Sequence, residues 1–216
     1  MHVEAMDFDG ARALCEGVDD RILNRNQFAY FIHRAVLAKA FVGLGDLQRA
    51  SKQFDDVQRR LDEDGVPLDF TIFTQLYHCL GEYCLRVSEF DRARRWAIQL
   101  RDYAAPAPDR NHLALAHGLL ARIAFAAGDR DEARDHLSRA LPIVNDADFP
   151  LAAWRVYSAA TEILMSIGET GEAIKYQNRF ATVLRTLAQN FDAEDHLHKC
   201  LLSALATQTH RWGLTV

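Results

Sequence analysis

The chain has 216 residues, of which 49% are hydrophobic and 25% charged, with a formal net charge of −5. That is enough apolar material to bury a core, yet no run approaches the roughly 18 apolar residues of a membrane span, and no charged-then-apolar signal segment opens the chain; a cytoplasmic protein with no membrane partner is expected. Arginine runs such as Arg92-Ala93-Arg94-Arg95 alternate with acidic stretches, so the basic face needed for direct nucleic-acid binding is missing.

In chain order, the first signal is a turn at Met6-Asp7, followed by a helical stripe at Ala11, Leu14, Cys15, Val18 and Ile22. Residues 1–25 read as a leading half unit, because no helix of about 15 residues fits before that turn. Its stripe therefore lacks a hairpin partner, and Leu14, Val18 and Ile22 are expected to form an exposed apolar edge usable for self-association. Residues 26–66 read as the first full unit. Phe28, Phe31, Ile32, Ala35, Val36, Ala40 and Phe41 follow a 3.6-residue period. Gly45-Asp46 makes a turn, and Ala50, Phe54, Val57 and Leu61 mark a second helix that ends near Gly65-Val66-Pro67.

The unit 67–107 repeats this plan around Ser88-Glu89 and Ala93, closing at Pro106-Ala107-Pro108. The unit 108–147 repeats it around Gly128-Asp129, with Ala133, Leu137, Ala140 and Val144 on the second stripe. Pro142 falls inside that stripe and is expected to kink or stop the helix, since proline removes an intrahelical hydrogen bond. Breakers from Asn145 to Pro150 lead into the unit 148–191, with its turn at Gly168-Glu169 and its alanine at Ala173. Residues 192–216 hold a last amphipathic helix with Leu197, Leu201 and Leu205 on one stripe, suited to capping the final repeat.

The five alanines Ala11, Ala50, Ala93, Ala133 and Ala173 stand 39, 43, 40 and 40 residues apart. A fixed period of this size marks stacked supersecondary units and one elongated, all-α domain. Twelve residues upstream of each of the last four alanines sits a second small position (Ala38, Gly81, Ala121, Thr161). Small side chains at a helix crossing let the two axes approach closely. Glycine at the turn tolerates the left-handed backbone that ends one helix, and the acid after it suits the positive end of the next.

The layout Leu37-Ala38…Gly45-Asp46…Ala50, Leu80-Gly81…Ser88-Glu89…Ala93 and Leu120-Ala121…Gly128-Asp129…Ala133 resembles the tetratricopeptide repeat. The period is nearer 40 than the family's 34, and the terminal proline is not at its usual place. The longer helices, and Pro150-Leu151-Ala152-Ala153-Trp154-Arg155 through Ala173 to Leu187-Ala188, are similar to the C-terminal repeat region of bacterial STAND-type ATPase and transcriptional regulators. The resemblance implies a right-handed superhelix of antiparallel hairpins whose first helices line a concave binding groove. It also implies a non-catalytic recognition role toward a protein, a peptide, or other domains of a larger polypeptide.

Counting back 18, 15, 11 and 7 residues from each alanine marks one face of each first helix. The polar members are Lys39; Gln75, His78, Glu82 and Arg86; Arg122; and Arg155, Ser158, Glu162 and Ser166; the resemblance places this face in the groove, and all of these but Ser166 are taken as candidate binding residues. The eleven-back position is always charged with alternating sign (Lys39, Glu82, Arg122, Glu162), which fits either a structural ion-pair ladder or a strip for a mixed-charge segment. The family's carboxylate clamp uses Asn together with Lys or Arg, and Asn is absent from these positions.

No GxxxxGK[ST] phosphate loop, GxSxG elbow or HExxH pair occurs, so no enzyme, cofactor or metal is expected. The four cysteines Cys15, Cys79, Cys84 and Cys200 lack metal-type spacing and are expected as reduced core or boundary thiols. His196 and Cys200 can share a helix face, but His198 points away and two ligands make a poor site. His112, His117 and His136 are expected on helix surfaces or packed boundaries. The alternative to recognition is a homo-oligomeric module assembled through the open edge.

Overall fold

The computed structural model describes residues 2–4, 6–23, 25–64, 72–146 and 149–213. Among them there are eleven helices and no strand. Two compact units divide the chain, 1–96 and 97–216, and each is taken by itself.

The first unit holds α1 (Phe8–Glu16), α2 (Asp20–Leu23), α3 (Gln27–Gly43), α4 (Leu47–Asp64), α5 (Ile72–Arg86) and the start of α6 (Phe90–Ala104). The turns that separate the helices carry the positive backbone angles the sequence implies: Met6 φ 61, Gly45 φ 78 and Ser88 φ 62. At Gly45 the Asp46 N–H reaches back to the Phe41 carbonyl at 2.9 Å, and at Ser88 the Glu89 N–H reaches Cys84 O at 2.8 Å. These six-to-one bonds close a Schellman-type helix end. Asp46 then accepts from the Arg49 N–H at 3.1 Å, and Asp7 from the Gly10 N–H at 3.0 Å, so the acid caps the next helix.

α3 and α4 pack as a hairpin, and α3 also contacts α1 and α5. Ala38 and Ala50 are both wholly buried, as close crossing demands. Phe54, Val57 and Leu61 of α4 are buried too. A line of rings, Phe31–Phe73 at 5.9 Å, Phe73–Tyr77 at 6.2 Å and Tyr77–Trp96 at 5.6 Å, ties α3 to α5 and α6. Val3, Ala11 and Ala40 form a smaller cluster with Phe8 and Val36. The Phe8 ring lies over Gly43 where any β-carbon would overlap it.

Two expectations for this unit are corrected. The stripe from Ala11 to Ile22 is not one helix. It breaks at Gly17, and Asp19 accepts from the Arg21 N–H at 2.8 Å to start a new short helix. Glycine is costly inside a helix, while aspartate competes for backbone N–H groups. Phe28, assigned to the apolar face of α3, is instead 48% exposed, because it lies in the first turn, beside the N-cap Asn26. The breakers Gly65-Val66-Pro67 lie outside the described residues.

The second unit holds the rest of α6, then α7 (Arg110–Ala126), α8 (Arg130–Asp146), α9 (Pro150–Ser166), α10 (Thr170–Ala188) and α11 (His196–Arg211). α7 pairs with α8 and α9 with α10, while α9 also touches α7 and α8, and α11 packs on α10. Pro106 and Pro108 lie in the turn after α6, and Asp109 caps α7 by accepting from the His112 N–H. Gly128 (φ 89) and Gly168 (φ 88) repeat the turn of the first unit, with Asp129 N–H on Ala124 O at 2.9 Å and Glu169 N–H on Leu164 O at 2.8 Å. Ala121, Ala133, Thr161 and Ala173 have no exposed surface, and the Thr161 hydroxyl donates to Tyr157 O at 2.8 Å, which satisfies it in the core.

Pro142 neither stops α8 nor shortens it: the helix continues to Asp146. Proline frees the carbonyl of residue 138, and both Ser138 and Pro142 are exposed, so water can serve that group. Beyond it, Ile143 and Val144 are buried and the Tyr157 hydroxyl donates to Asn145 Oδ1 at 3.0 Å, anchoring the last turn. In α11, Leu197, Leu201 and Leu205 are buried.

Candidate functional site

The first-helix face grades from packed to open along the row positions. Fifteen back from the alanines, Ala35 and His78 are each 2% exposed, and Gly118 is buried, its added β-carbon lying 3.2 Å from Val156 Cγ2 of α9. These three positions are therefore helix-to-helix packing, while Ser158 of the same row is half-buried. His78, expected in the groove, is corrected to a core position, its Nε2 3.7 Å from Glu82 Oε1. Its neighbours on α5 explain why: Leu76, Tyr77, Cys79 and Leu80 are all buried, so the middle of the helix is packed on all sides.

The eleven-back row, Lys39, Glu82, Arg122 and Glu162, is half-buried throughout, and seven back Arg86 and Ser166 are exposed. Gln75, Arg155 and Ser158 are half-buried. Lys39 Nζ binds Glu4 Oε1 at 3.0 Å, and Glu162 Oε1 meets Arg211 of α11 at 3.2 Å. The Arg155 guanidinium lies 4.1 Å from the Trp154 ring centroid and donates to Leu151 O at 2.6 Å. Within each unit, the first-helix polar residues that reach solvent are thus the half-buried Lys39, Gln75 and Glu82 with exposed Arg86, and the half-buried Arg122, Arg155, Ser158 and Glu162 with exposed Ser166.

Of the edge residues, Leu14 is 62%, Val18 40% and Ile22 64% exposed. Equivalent stripe positions in α4 and α8 are buried: Val57 is 0% and Leu61 7% exposed, Ala140 0% and Val144 4%.

The cysteines are free thiols. Cys79 and Cys84 are buried, and burial pushes the Cys84 thiol up to about 11, leaving it inert as a nucleophile. Burial, with Glu16 beside it, also raises Cys15. His117 and His136 lie at a packed boundary, one of the two places expected for them, and there they meet each other. Both are buried, and their Nδ1 atoms lie 3.1 Å apart across the α7–α8 hairpin. Desolvation, followed by the charge of His136, lowers His117 to about 4. The signal was available in their positions: His117 is one turn before the small Ala121, and His136 three residues past Ala133, so each flanks the close crossing.

A tetratricopeptide-repeat family model matches residues 73–146. The fold is tetratricopeptide-like. "Tetratricopeptide repeat protein 29" from Homo sapiens is 30% identical over 134 residues, 61% of this chain and 28% of that protein. The protein of the same name from Macaca fascicularis is 28% identical over the same shares. The match spans less than a third of the length of these relatives. Among solved structures, BtubC (BKLC) from P. vanneervenii superposes with a TM-score of 0.57 at 16% identity, covering 97% of this chain and 88% of that one. At that identity the likeness concerns the fold alone. No helix among the described residues of this tetratricopeptide-like array is long and apolar enough to cross a membrane.

Proposed function

We propose that the chain is a non-catalytic scaffold that receives a protein or peptide partner, and that it serves in the cytoplasm as the interaction array of a bacterial signalling regulator. Tetratricopeptide repeats in general mediate protein–protein interaction, and the match over residues 73–146 supports that class. The observation that carries the reading is that, in each unit taken by itself, a first helix presents a half-buried charged residue followed one turn later by an exposed polar one, Glu82 with Arg86 and Glu162 with Ser166. Pairs of this kind present fixed hydrogen-bonding and charged groups at low ordering cost. The regulator assignment is supported by the sequence resemblance of residues 150–188.

The test is affinity capture from the source cell with the chain and with an Arg122→Ala/Glu162→Ala variant. Partner recovery is expected to fall about tenfold, an effect of about 1.4 kcal/mol, with the unfolding midpoint unchanged. Equal recovery would show that these charges are structural.

A second reading, assembly with a copy of itself, is favoured by the exposure of Leu14 and Ile22. It predicts concentration-dependent dimerisation in sedimentation experiments, abolished by Leu14→Asp. Because Leu14 is already exposed, this variant folds normally, and a monomer at every concentration would dismiss the reading.

A further inference from the structure

We propose that the face of α3 around Val36, Lys39 and Ala40 is a binding site for a short peptide segment with an aliphatic residue followed directly by an acidic one, and that the chain's own Val3-Glu4 fills it as a tethered internal ligand. This rests on reading the first-helix face as an interaction face. Val3 is 6% exposed and shares one cluster with Ala11 and Ala40, packed against Phe8 and Val36. Glu4, the next residue, places its Oε1 3.0 Å from Lys39 Nζ. Only 16% of the Lys39 side chain and 23% of that of Glu4 stay exposed, and a charged hydrogen bond is stronger where water is partly excluded.

Val36, Lys39, Ala40 and Gly43 follow the three- and four-residue spacing of a single helix face. Lys39 and Gly43 stand eleven and seven residues before Ala50, the places that Glu82 and Arg86 take on α5 relative to Ala93. On α5 these are half-buried and exposed. On α3 the chain itself meets both, with Glu4 at Lys39 and Phe8 at Gly43. The segment before α1 is a turn and not a helix. It closes on itself, the Asp7 N–H donating to His2 O at 2.9 Å and the Met6 N–H to Val3 O at 3.3 Å, with His2 Nδ1 2.6 Å from Asp7 Oδ2. These contacts lie inside the loop, which lowers the ordering cost for a separate copy of it to bind. The tethered copy acts at an effective concentration on the order of millimolar, so it keeps weaker competitors out.

The probe is a fluorescein-labelled peptide with the sequence of residues 2–7, acetylated at its N-terminus and titrated by anisotropy against the full chain. The natural chain, its site filled, is expected to show no saturation below about 1 mM. A Val3→Asp/Glu4→Lys variant, which withdraws the internal segment, is expected to bind the peptide at least about tenfold more tightly. Lys39→Gln added to that variant is expected to reverse the gain, and a peptide with its valine and glutamate exchanged is expected not to bind. Circular dichroism checks the fold. Glu4→Lys alone leaves Val3 in its cluster and is expected to tighten binding about threefold, as for loss of a partly exposed ion pair. No gain with either variant, or a gain that survives Lys39→Gln, overturns the proposal and makes residues 2–4 packing only. The capture test on Arg122 and Glu162 uses neither α3 nor this peptide, so the two readings fail separately.

Discussion

Phe180→Ala is expected to lower the unfolding free energy by about 3–5 kcal/mol, the range for truncating a fully buried aromatic. Phe180 is 1% exposed and sits on α10, where two tryptophans meet it edge-on: Trp154 of α9 at 6.5 Å and Trp212, just past α11, at 5.2 Å. One side chain thus joins three helices of the second unit. Both tryptophans are half-buried, and the void left after they relax sets the cavity part of the cost. The transfer of the ring and the loss of two edge contacts, each worth about 0.5–1.5 kcal/mol, act in the same direction. Urea unfolding followed by tryptophan fluorescence measures the change. Phe28→Ala is the control. That ring is half-exposed, and its removal is expected to change stability by less than about 0.5 kcal/mol. A Phe180 effect below about 1 kcal/mol would mean that α11 does not close the core as described.

The contrast between these phenylalanines shows what periodicity can and cannot decide. Ala50, Ala93, Ala133 and Ala173 recur because a methyl group is the largest side chain that a close crossing accepts, and all four are completely buried. The turns were equally legible, since Gly45, Gly128 and Gly168 all adopt positive φ. Ser88 and Met6 adopt it as well without being glycine, so their place in the repeat, not their chemistry, identified them. Phe28 shares the period of α3 but falls in its first turn, and a period does not say where the covering helices stop. Pro142 exposed a second limit. Part of a proline's cost inside a helix is the carbonyl it leaves without a donor, and whether water can serve that group depends on which face is solvated.

The site was less legible than the fold. Counting back from each alanine correctly grouped residues onto one helix face, but one face holds both packing and presentation. His78 and Gly118 fall on the packing side and Arg86 on the open side, and only the neighbouring first helix separates them. Spacing likewise put His196 and Cys200 on one face of α11, while their contact at 3.5 Å required rotamers that sequence does not supply.

Acidification is expected to loosen the second unit through the buried histidine pair. The Nδ1 atoms of His117 and His136 are 3.1 Å apart, so the neutral rings share one N–H, and two imidazolium ions cannot coexist there. Desolvation is the main cause that lowers both groups. For His117 the charge of His136 adds to it, as do Arg139 on α8 and Arg101 on α6, against the smaller opposing pull of Asp135. For His136, Glu132 and Asp135 oppose the shift more strongly. The folded His117 titrates at about 4 against 6.5 for the free side chain, so between those values the unfolded chain binds more protons. Stability then rises with pH: the contribution is complete above about pH 6.5 and is lost as the pH falls toward about 4. Because the hairpin boundary still admits some solvent, about 1–2 kcal/mol is expected to disappear between about pH 7 and about pH 5, above the range where carboxylate titration dominates. A His117→Leu/His136→Leu variant removes both titrating groups and leaves no buried N–H without a partner. Urea midpoints measured across that interval are expected to fall for the natural chain and to stay level for the variant. Parallel acid profiles for the two proteins would mean that the pair is already charged in the fold, and that the contact at 3.1 Å is not a neutral hydrogen bond.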